Sequence, residues 1–251
     1  MRTFFLLIIL STFTCRAQAD SAMIKSIKIG ENSIQIIQQY GELSDSILFL
    51  NVHEDEQTSI DVVNHYAEET PLHFVRLKHE KTRRISFDIK KHNYSVDPNR
   101  IYTRKRTRKT LKDGGKFSFQ ASKSVKVLAN EILAYLSNKT VIIAMHNNTD
   151  VNYSIKSYLP EGDEAQNTKL VYINPEMDPD DFVYTTDLSF YNKLKNRKIN
   201  VILQDNKKYV NDGSLSVYCG VNNIPYINIE AQQGHFEEQL FLIKEVLAIL
   251  Q

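Results

Sequence analysis

The chain has 251 residues, of which 42% are hydrophobic and 24% are charged, with eight Gly and six Pro. This composition excludes disordered, collagen-like and disulfide-stapled proteins, and the length allows one large domain or two small ones. The formal net charge is +1. Because this balance offers no electrostatic attraction to a polyanion, we expect no nucleic acid as the main partner.

Residues 1–19 have the pattern of a secretory signal peptide. Arg2 precedes an apolar run that is too short to remain as a membrane span, and the segment 17–19, Ala-Gln-Ala, has the small-x-small pattern of a cleavage site. We therefore expect export, to the periplasm or beyond the cell, with residues 20–251 as a single mature domain that has no transmembrane segment.

The alternative is a lipoprotein signal with its anchor at Cys15. Thr14 precedes this cysteine, where a small Gly, Ala or Ser is usual, so cleavage after Ala19 is favoured. Cleavage there leaves Cys219 as the only thiol, and a lone cysteine forms no internal disulfide.

Apolar runs of strand length alternate with segments of helical spacing along the mature chain. The runs are 47–52, 72–77, 85–89, 141–145, 169–173, 199–203 and 225–229. Helices are predicted over 58–69, 122–136 and 236–250. Nearly continuous Val, Ile, Leu and Phe is typical of strands covered on both faces, so the pattern predicts an α/β fold with a sheet between helices.

Two charged stretches are interpreted as loops. Residues 97–116 are very basic, which fits either a solvated loop or a rim that faces anions. Residues 174–187 are acidic, but their spacing is not that of an EF-hand, so we expect a surface loop and no calcium site.

Residues able to bind a metal or transfer a proton follow three of the apolar runs. His53 and Glu56 follow the first run, His146 follows the fourth, and Glu230 follows the last. The carboxyl ends of strands in α/β sheets are where ligands bind, and two imidazoles plus a carboxylate can hold a catalytic zinc ion. Each residue alone also fits a satisfied polar group at a strand end, but their joint occurrence favours a site.

Between these residues lies the pair Asn99 and Arg100. A planar guanidinium and an amide donor can together bind a carboxylate. The alternative is a proline-containing turn with an exposed arginine.

The order H-x-x-E, Asn-Arg, His and Glu resembles the zinc carboxypeptidase family, and in particular its aspartoacylase and succinylglutamate desuccinylase branch. The segment 97–101, Asp-Pro-Asn-Arg-Ile, resembles that branch's Asp-x-Asn-Arg-x-Phe motif. The segment 146–149, His-Asn-Asn-Thr, resembles its His-Asn-Thr-Thr motif. The resemblance covers roughly 45–245 and implies a single domain with a mixed, twisted sheet of about eight strands between helices.

The resemblance also implies a role for each of these residues. The metal ligands of a Zn²⁺ site would be His53, Glu56 and His146, and the catalytic base would be Glu230. Residues that would contact the substrate are Asn99, Arg100, Tyr209 and one arginine of the pair Arg83 and Arg84. Arg84 is named as the candidate, but the sequence does not distinguish it from Arg83.

The function implied is an exported zinc-dependent amide hydrolase. The first candidate is a metallocarboxypeptidase that releases a C-terminal residue from a peptide, which could be a cell-wall peptide. The alternatives are an N-acyl amino acid deacylase, which shares the same chemistry, and a non-catalytic binding module on the same fold. In each hydrolase the substrate carries a free carboxylate. A phosphatase is disfavoured, because Cys219 is not followed by the arginine of a Cys-x5-Arg loop.

Overall fold

The computed structural model describes residues 22–41, 46–137, 139–149 and 153–250. The predicted signal peptide, residues 1–19, and its Cys15 lie outside these ranges. Within the described ranges, no helix combines the length and the hydropathy needed to cross a membrane.

A central sheet of nine strands forms the middle layer, and a two-stranded hairpin lies apart from it. The strands are β1 (Met23–Ile29), β2 (Asn32–Gln39), β3 (Ile47–Asn51), β4 (Phe74–Lys78), β5 (Ile85–Ile89), β6 (His92–Val96), β7 (Val141–Asn148), β8 (Thr168–Tyr172), β9 (Phe182–Thr185), β10 (Val201–Gln204) and β11 (Tyr226–Gln232). The helices are α1 (Gln57–Glu69), α2 (Arg104–Asp113), α3 (Phe119–Ala134), α4 (Leu188–Asn196), α5 (Leu215–Val221) and α6 (Phe236–Leu250).

The strand order in the sheet is β1-β2-β4-β3-β7-β11-β9-β10-β8, and β5 and β6 form the hairpin. The four central strands β4, β3, β7 and β11 run parallel to one another. Their carboxyl ends therefore lie at one edge of the sheet. Antiparallel pairs flank this centre, so the sheet is mixed, and the predicted α/β fold is confirmed.

Helices cover both faces of the sheet. On β3, Leu48 and Leu50 pack into one core, whereas Phe49 packs into the other, as the two-residue period of a strand requires. The first core includes residues of α2, α3 and α5, and the second includes residues of α1, α4 and α6. Burial on both faces explains the continuous apolar runs of the central strands.

Three segments differ from the sequence prediction. Residues 85–89 form a strand as predicted, but it lies in the separate hairpin. The basic stretch, predicted as a loop over 97–116, contains helix α2, which Thr103 caps and which buries Leu111 together with two threonines. The acidic stretch, predicted as a loop over 174–187, contains the buried strand β9.

Candidate metal centre and its cavity

The parallel strands at the middle of the sheet bring the candidate residues together. His53 and Glu56 lie in the turn between β3 and α1, and His146 lies near the end of β7. Glu230 on β11 pairs in register with His146. Residues separated by more than 170 positions therefore meet because three neighbouring parallel strands end at the same edge of the sheet.

Two imidazoles and one carboxylate converge at this edge. The Nδ1 atoms of His53 and His146 are 3.3 Å apart. Glu56 contacts both, with Oε1 at 2.9 Å from Nδ1 of His53 and Oε2 at 2.8 Å from Nδ1 of His146. These three side chains are 0%, 4% and 5% exposed for His53, Glu56 and His146. Polar groups buried to this degree require partners, and here the three groups are partners of one another.

Asp97 and Arg83 surround this cluster. Nε2 of His53 donates to Oδ1 of Asp97 at 2.9 Å. Arg83 donates to Oε1 of Glu56 at 2.8 Å, and its Nε lies 3.7 Å from Oδ2 of Asp97. Because Asp97 holds the proton on Nε2, the lone pair of His53 is left on Nδ1, on the side that faces His146 and Glu56.

The charges of these side chains shift one another's pKa values. Burial opposes the charged form of His53, but the charge of Glu56 and the hydrogen bond to Asp97 outweigh it and raise the pKa of His53 to about 9. Burial acts to raise the pKa of Glu56, yet the two histidines hold it well below its usual range. The pKa of Asp97 is likewise low, because the hydrogen bond and charge of His53 outweigh burial.

Glu230 has a different environment. Its side chain is 7% exposed, and Oε1 accepts a hydrogen bond from Nδ2 of Asn228 at 2.9 Å. Burial, assisted by the charge of Glu56, raises the pKa of Glu230 although His146 acts in the opposite direction. The site therefore contains one carboxylate held ionised by its partners and a second whose ionised form is destabilised.

The donor set fits a divalent metal ion. The ligand atoms of His53, Glu56 and His146 all lie within 4.8 Å of one another. Two imidazole nitrogens and one carboxylate are the donors of many catalytic zinc sites, and a ligating histidine commonly donates its second nitrogen to a carboxylate, as His53 does to Asp97. The three residues thus form a candidate metal centre.

A cavity of about 660 Å³ opens over this centre. Its volume lies in the range of small-molecule sites. The lining side chains come from the metal centre, from the turn that carries Asn99 and Arg100, and from a group of tyrosines; they include Glu56, Arg83, Asn99, Arg100, His146, Tyr153, Tyr158, Glu164, Tyr184, Asp212, Tyr226 and Glu230.

Two of the predicted substrate residues lie in this cavity. Asn99 and Arg100 both line it. Oδ1 of Asn99 accepts from the backbone N–H of Leu215 at 3.0 Å, so Nδ2 is the atom of this amide that can donate to a ligand. Arg100 lies 3.5 Å from Asp212.

The other two predictions differ from the structure. Arg84, the arginine chosen from the sequence, donates to the carbonyl oxygens of Ser95 and Thr110, and Arg83 is the one that reaches the metal centre. The two side chains have different partners although they are adjacent in the bent segment 79–84 before β5. Tyr209 is not among the residues that line the cavity; it follows β10 in the loop 205–214.

No role was predicted from the sequence for Asp97 or for the tyrosines of the cavity. A carboxylate two positions before Asn99 is a signal that could have identified Asp97 as a partner for a histidine. No such signal marks Tyr153, Tyr158 and Tyr184, because the chain has 13 tyrosines and these three lie in two separate segments.

Comparisons with known proteins give a structural likeness only. No family model matches the chain, and no curated protein matches its sequence. Similar solved structures include a predicted metallopeptidase from Shewanella baltica, with 11% identity, 90% of this chain and 84% of that chain covered, and a TM-score of 0.47. A predicted succinylglutamate desuccinylase/aspartoacylase from Shewanella frigidimarina has 14% identity, 91% and 71% coverage, and a TM-score of 0.44.

Carboxypeptidase A from Helicoverpa armigera is a third similar structure, with 10% identity, 90% of this chain and 67% of that chain covered, and a TM-score of 0.43. At such TM-scores the likeness is distant.

Proposed function

We propose that the protein is an exported zinc-dependent amide hydrolase, and specifically a metallocarboxypeptidase that releases a C-terminal residue from a peptide. The observation that carries the proposal is the buried cluster of His53, Glu56 and His146, with Glu230 paired in register with His146. Glu56, His146 and Glu230 line the cavity. A binding module needs a cavity but has no need of a metal centre next to a buried carboxylate of raised pKa.

When bound, zinc would supply a Lewis acid that polarises the scissile carbonyl and lowers the pKa of water. Glu230 accepts a proton from the attacking water and passes it to the leaving nitrogen, and the rise of its pKa through burial favours the protonated form that the second transfer needs. Asn228 fixes the orientation of this carboxylate through its hydrogen bond. Arg83 supplies the guanidinium for the oxyanion that develops on the carbonyl.

The substrate carboxylate is assigned to Asn99 and Arg100. A guanidinium beside an amide donor binds a carboxylate through several charge-assisted hydrogen bonds. Asp212 neutralises Arg100 at 3.5 Å, a distance at which an incoming carboxylate can compete for the guanidinium. Holding the carboxylate fixes which amide bond lies beside the metal centre, which is the geometry of an exopeptidase.

The reaction on an N-acyl amino acid would use the same residues, because that substrate also has a carboxylate next to the scissile amide. The signal-like segment 1–19 favours peptides, including cell-wall peptides, since these are the amides that an exported enzyme meets. A cavity of about 660 Å³ also has room for more than one residue of a peptide.

The test combines metal analysis with a hydrolysis assay. Elemental analysis of the purified protein should find one zinc per chain, and mass spectrometry of a peptide mixture should show loss of single C-terminal residues. Glu230→Gln should retain the metal and lose nearly all turnover, whereas His146→Ala should lose both.

Matched controls use the same substitutions at exposed positions. Glu69→Gln at the end of α1 and His92→Ala in β6 should retain both metal and turnover. Full activity of Glu230→Gln would contradict the assignment of Glu230 as the catalytic base. A wild-type protein with neither zinc nor hydrolysis would favour a binding module, and release of acyl groups from N-acyl amino acids in place of C-terminal residues would favour the deacylase.

A further inference from the structure

Glu164 is a cavity carboxylate that, like Asp55 and Glu230, forms no ion pair among the residues that the structure describes. Among the cavity carboxylates, Glu56 contacts Arg83 and two histidines, and Asp212 faces Arg100. Glu164 lines the same cavity, and its Oε2 accepts from Nδ2 of Asn167 at 3.3 Å.

Aromatic rings form the wall beside Glu164. The ring centroids of Tyr153 and Tyr158 are 6.0 Å apart, and those of Tyr158 and Tyr184 are 5.4 Å apart, with Phe182 behind them at 5.9 Å from Tyr158. The hydroxyl of Tyr184 donates to Gln204, and those of Tyr153 and Tyr158 bond to each other. One of the Tyr153 and Tyr158 hydroxyls still has a proton to donate, and the faces of these cavity-lining rings can attract a cation.

This wall lies close to both the proposed base and the proposed carboxylate site. Burial is the main reason why the pKa values of Tyr153 and Tyr158 are raised, and the charges of Glu230 and Glu164 both add to it. For Tyr184 the charges of Asp212, the partner of Arg100, and Glu164 add in the same way. The backbone N–H of Glu164 donates to the carbonyl oxygen of Ser157 at 2.9 Å, which places Glu164 beside Tyr158. The tyrosines, Glu164, Glu230 and Arg100 all line the same cavity.

We propose that Glu164 and the tyrosine wall form a cation-binding subsite that selects a cationic side chain, such as that of lysine, on the amino acid whose carboxylate Arg100 holds. This inference rests on the proposed function. The arrangement places a positive group for the substrate carboxylate and a negative group for its side chain in one cavity, whose tyrosine rings can contact the aliphatic stem. A neutral side chain would leave the charge of Glu164 without a partner, which disfavours it.

The experiment compares two peptides that differ only in the last residue, which is lysine in one and norleucine in the other. Norleucine has the same aliphatic stem without the ammonium group. The wild-type protein should prefer the lysine peptide. In Glu164→Gln the ratio of the two kcat/KM values should fall about tenfold, the factor that about 1.4 kcal/mol produces. Glu164→Lys should shift the preference toward a peptide that ends in glutamate.

Glu161→Gln is the matched control, because Glu161 lies three residues away on the same loop and is not among the residues that line the main cavity. It should leave the ratio unchanged. A ratio that does not change in Glu164→Gln, or a wild-type enzyme with no preference for the lysine peptide, would contradict the proposed subsite. Neither result would contradict the proposed hydrolase activity.

A binding measurement separates this subsite from the proposed function. Free lysine and free norleucine are titrated against the wild-type protein and against Glu164→Gln, with calorimetry or NMR as the readout, so no turnover is needed. Tighter binding of lysine that disappears in the variant supports the subsite even if no peptide is cleaved, in which case only the proposed function fails. Equal binding of the two amino acids would contradict the subsite.

Discussion

Replacement of Asp97 by asparagine tests how the metal centre is organised. The carboxylate of Asp97 accepts from Nε2 of His53 at 2.9 Å and from the backbone N–H of Asn99 at 2.8 Å. Asparagine keeps the size and one acceptor oxygen, so the turn at Asn99 should persist. Both hydrogen bonds end on Oδ1, so asparagine can still accept from Nε2 of His53, but it lacks the negative charge that strengthens this bond and favours the tautomer with its lone pair on Nδ1.

The loss of such an orienting carboxylate typically weakens metal affinity by about 10- to 100-fold, or about 1.4–2.7 kcal/mol. We expect this range for Asp97→Asn, measured by competition with a chromophoric zinc chelator. The control is Asp113→Asn at the exposed end of α2, which should bind zinc as the wild type does. If Asp97→Asn folds normally and has wild-type zinc affinity, the assignment of His53 as a ligand through Nδ1 is refuted.

Three further predictions concern stability and reactivity. Phe49→Ala should lower the free energy of unfolding by about 3–5 kcal/mol, since Phe49 is fully buried, whereas Phe119→Ala, 76% exposed, should have a much smaller effect in denaturant titrations. Cys219 is buried, and burial raises the pKa of its thiol, so peptide mapping should find it labelled by thiol reagents only after unfolding. Chelation of the metal should lower the thermal midpoint of the wild type by removing the stabilisation from binding, and should leave that of His146→Ala unchanged.

The metal-centre residues could be located from the sequence because each follows a buried strand. Continuous apolar runs predict central parallel strands, and the carboxyl ends of such strands meet at one edge of the sheet. His53, His146 and Glu230 therefore did not need to be near one another in the sequence to be expected together. The adjacency of β7 and β11, which places Glu230 beside His146, is a property of the strand order that the apolar pattern does not specify.

The elements that the sequence analysis did not predict have weak local signals. Helix α2 has a strongly charged sequence, and it buries only Leu111 and two threonines, so no apolar stripe marks it. In the hairpin of β1 and β2, polar residues interrupt the isoleucines of β2, so this strand near the edge of the sheet has no continuous apolar run. Its turn depends on Gly30 at a positive φ of 60°, where a side chain would clash with the carbonyl oxygen of Asp88.

The choice between Arg83 and Arg84 could not be made from the sequence, because both lie in the bent segment 79–84 and only the packing around that segment decides which arginine faces the site. The packing of β6 and α2 supplies the carbonyl oxygens of Ser95 and Thr110 that hold Arg84. Arg83 is thereby directed to Glu56.

A crystal structure of the protein with zinc, with an anomalous difference map at the zinc edge, tests the central claim most directly. We expect one strong peak at about 2.0–2.1 Å from Nδ1 of His53 and Nδ1 of His146, with a carboxylate oxygen of Glu56 as the third protein ligand. A map with no peak at these three residues, or with zinc bound only elsewhere on the chain, would contradict it.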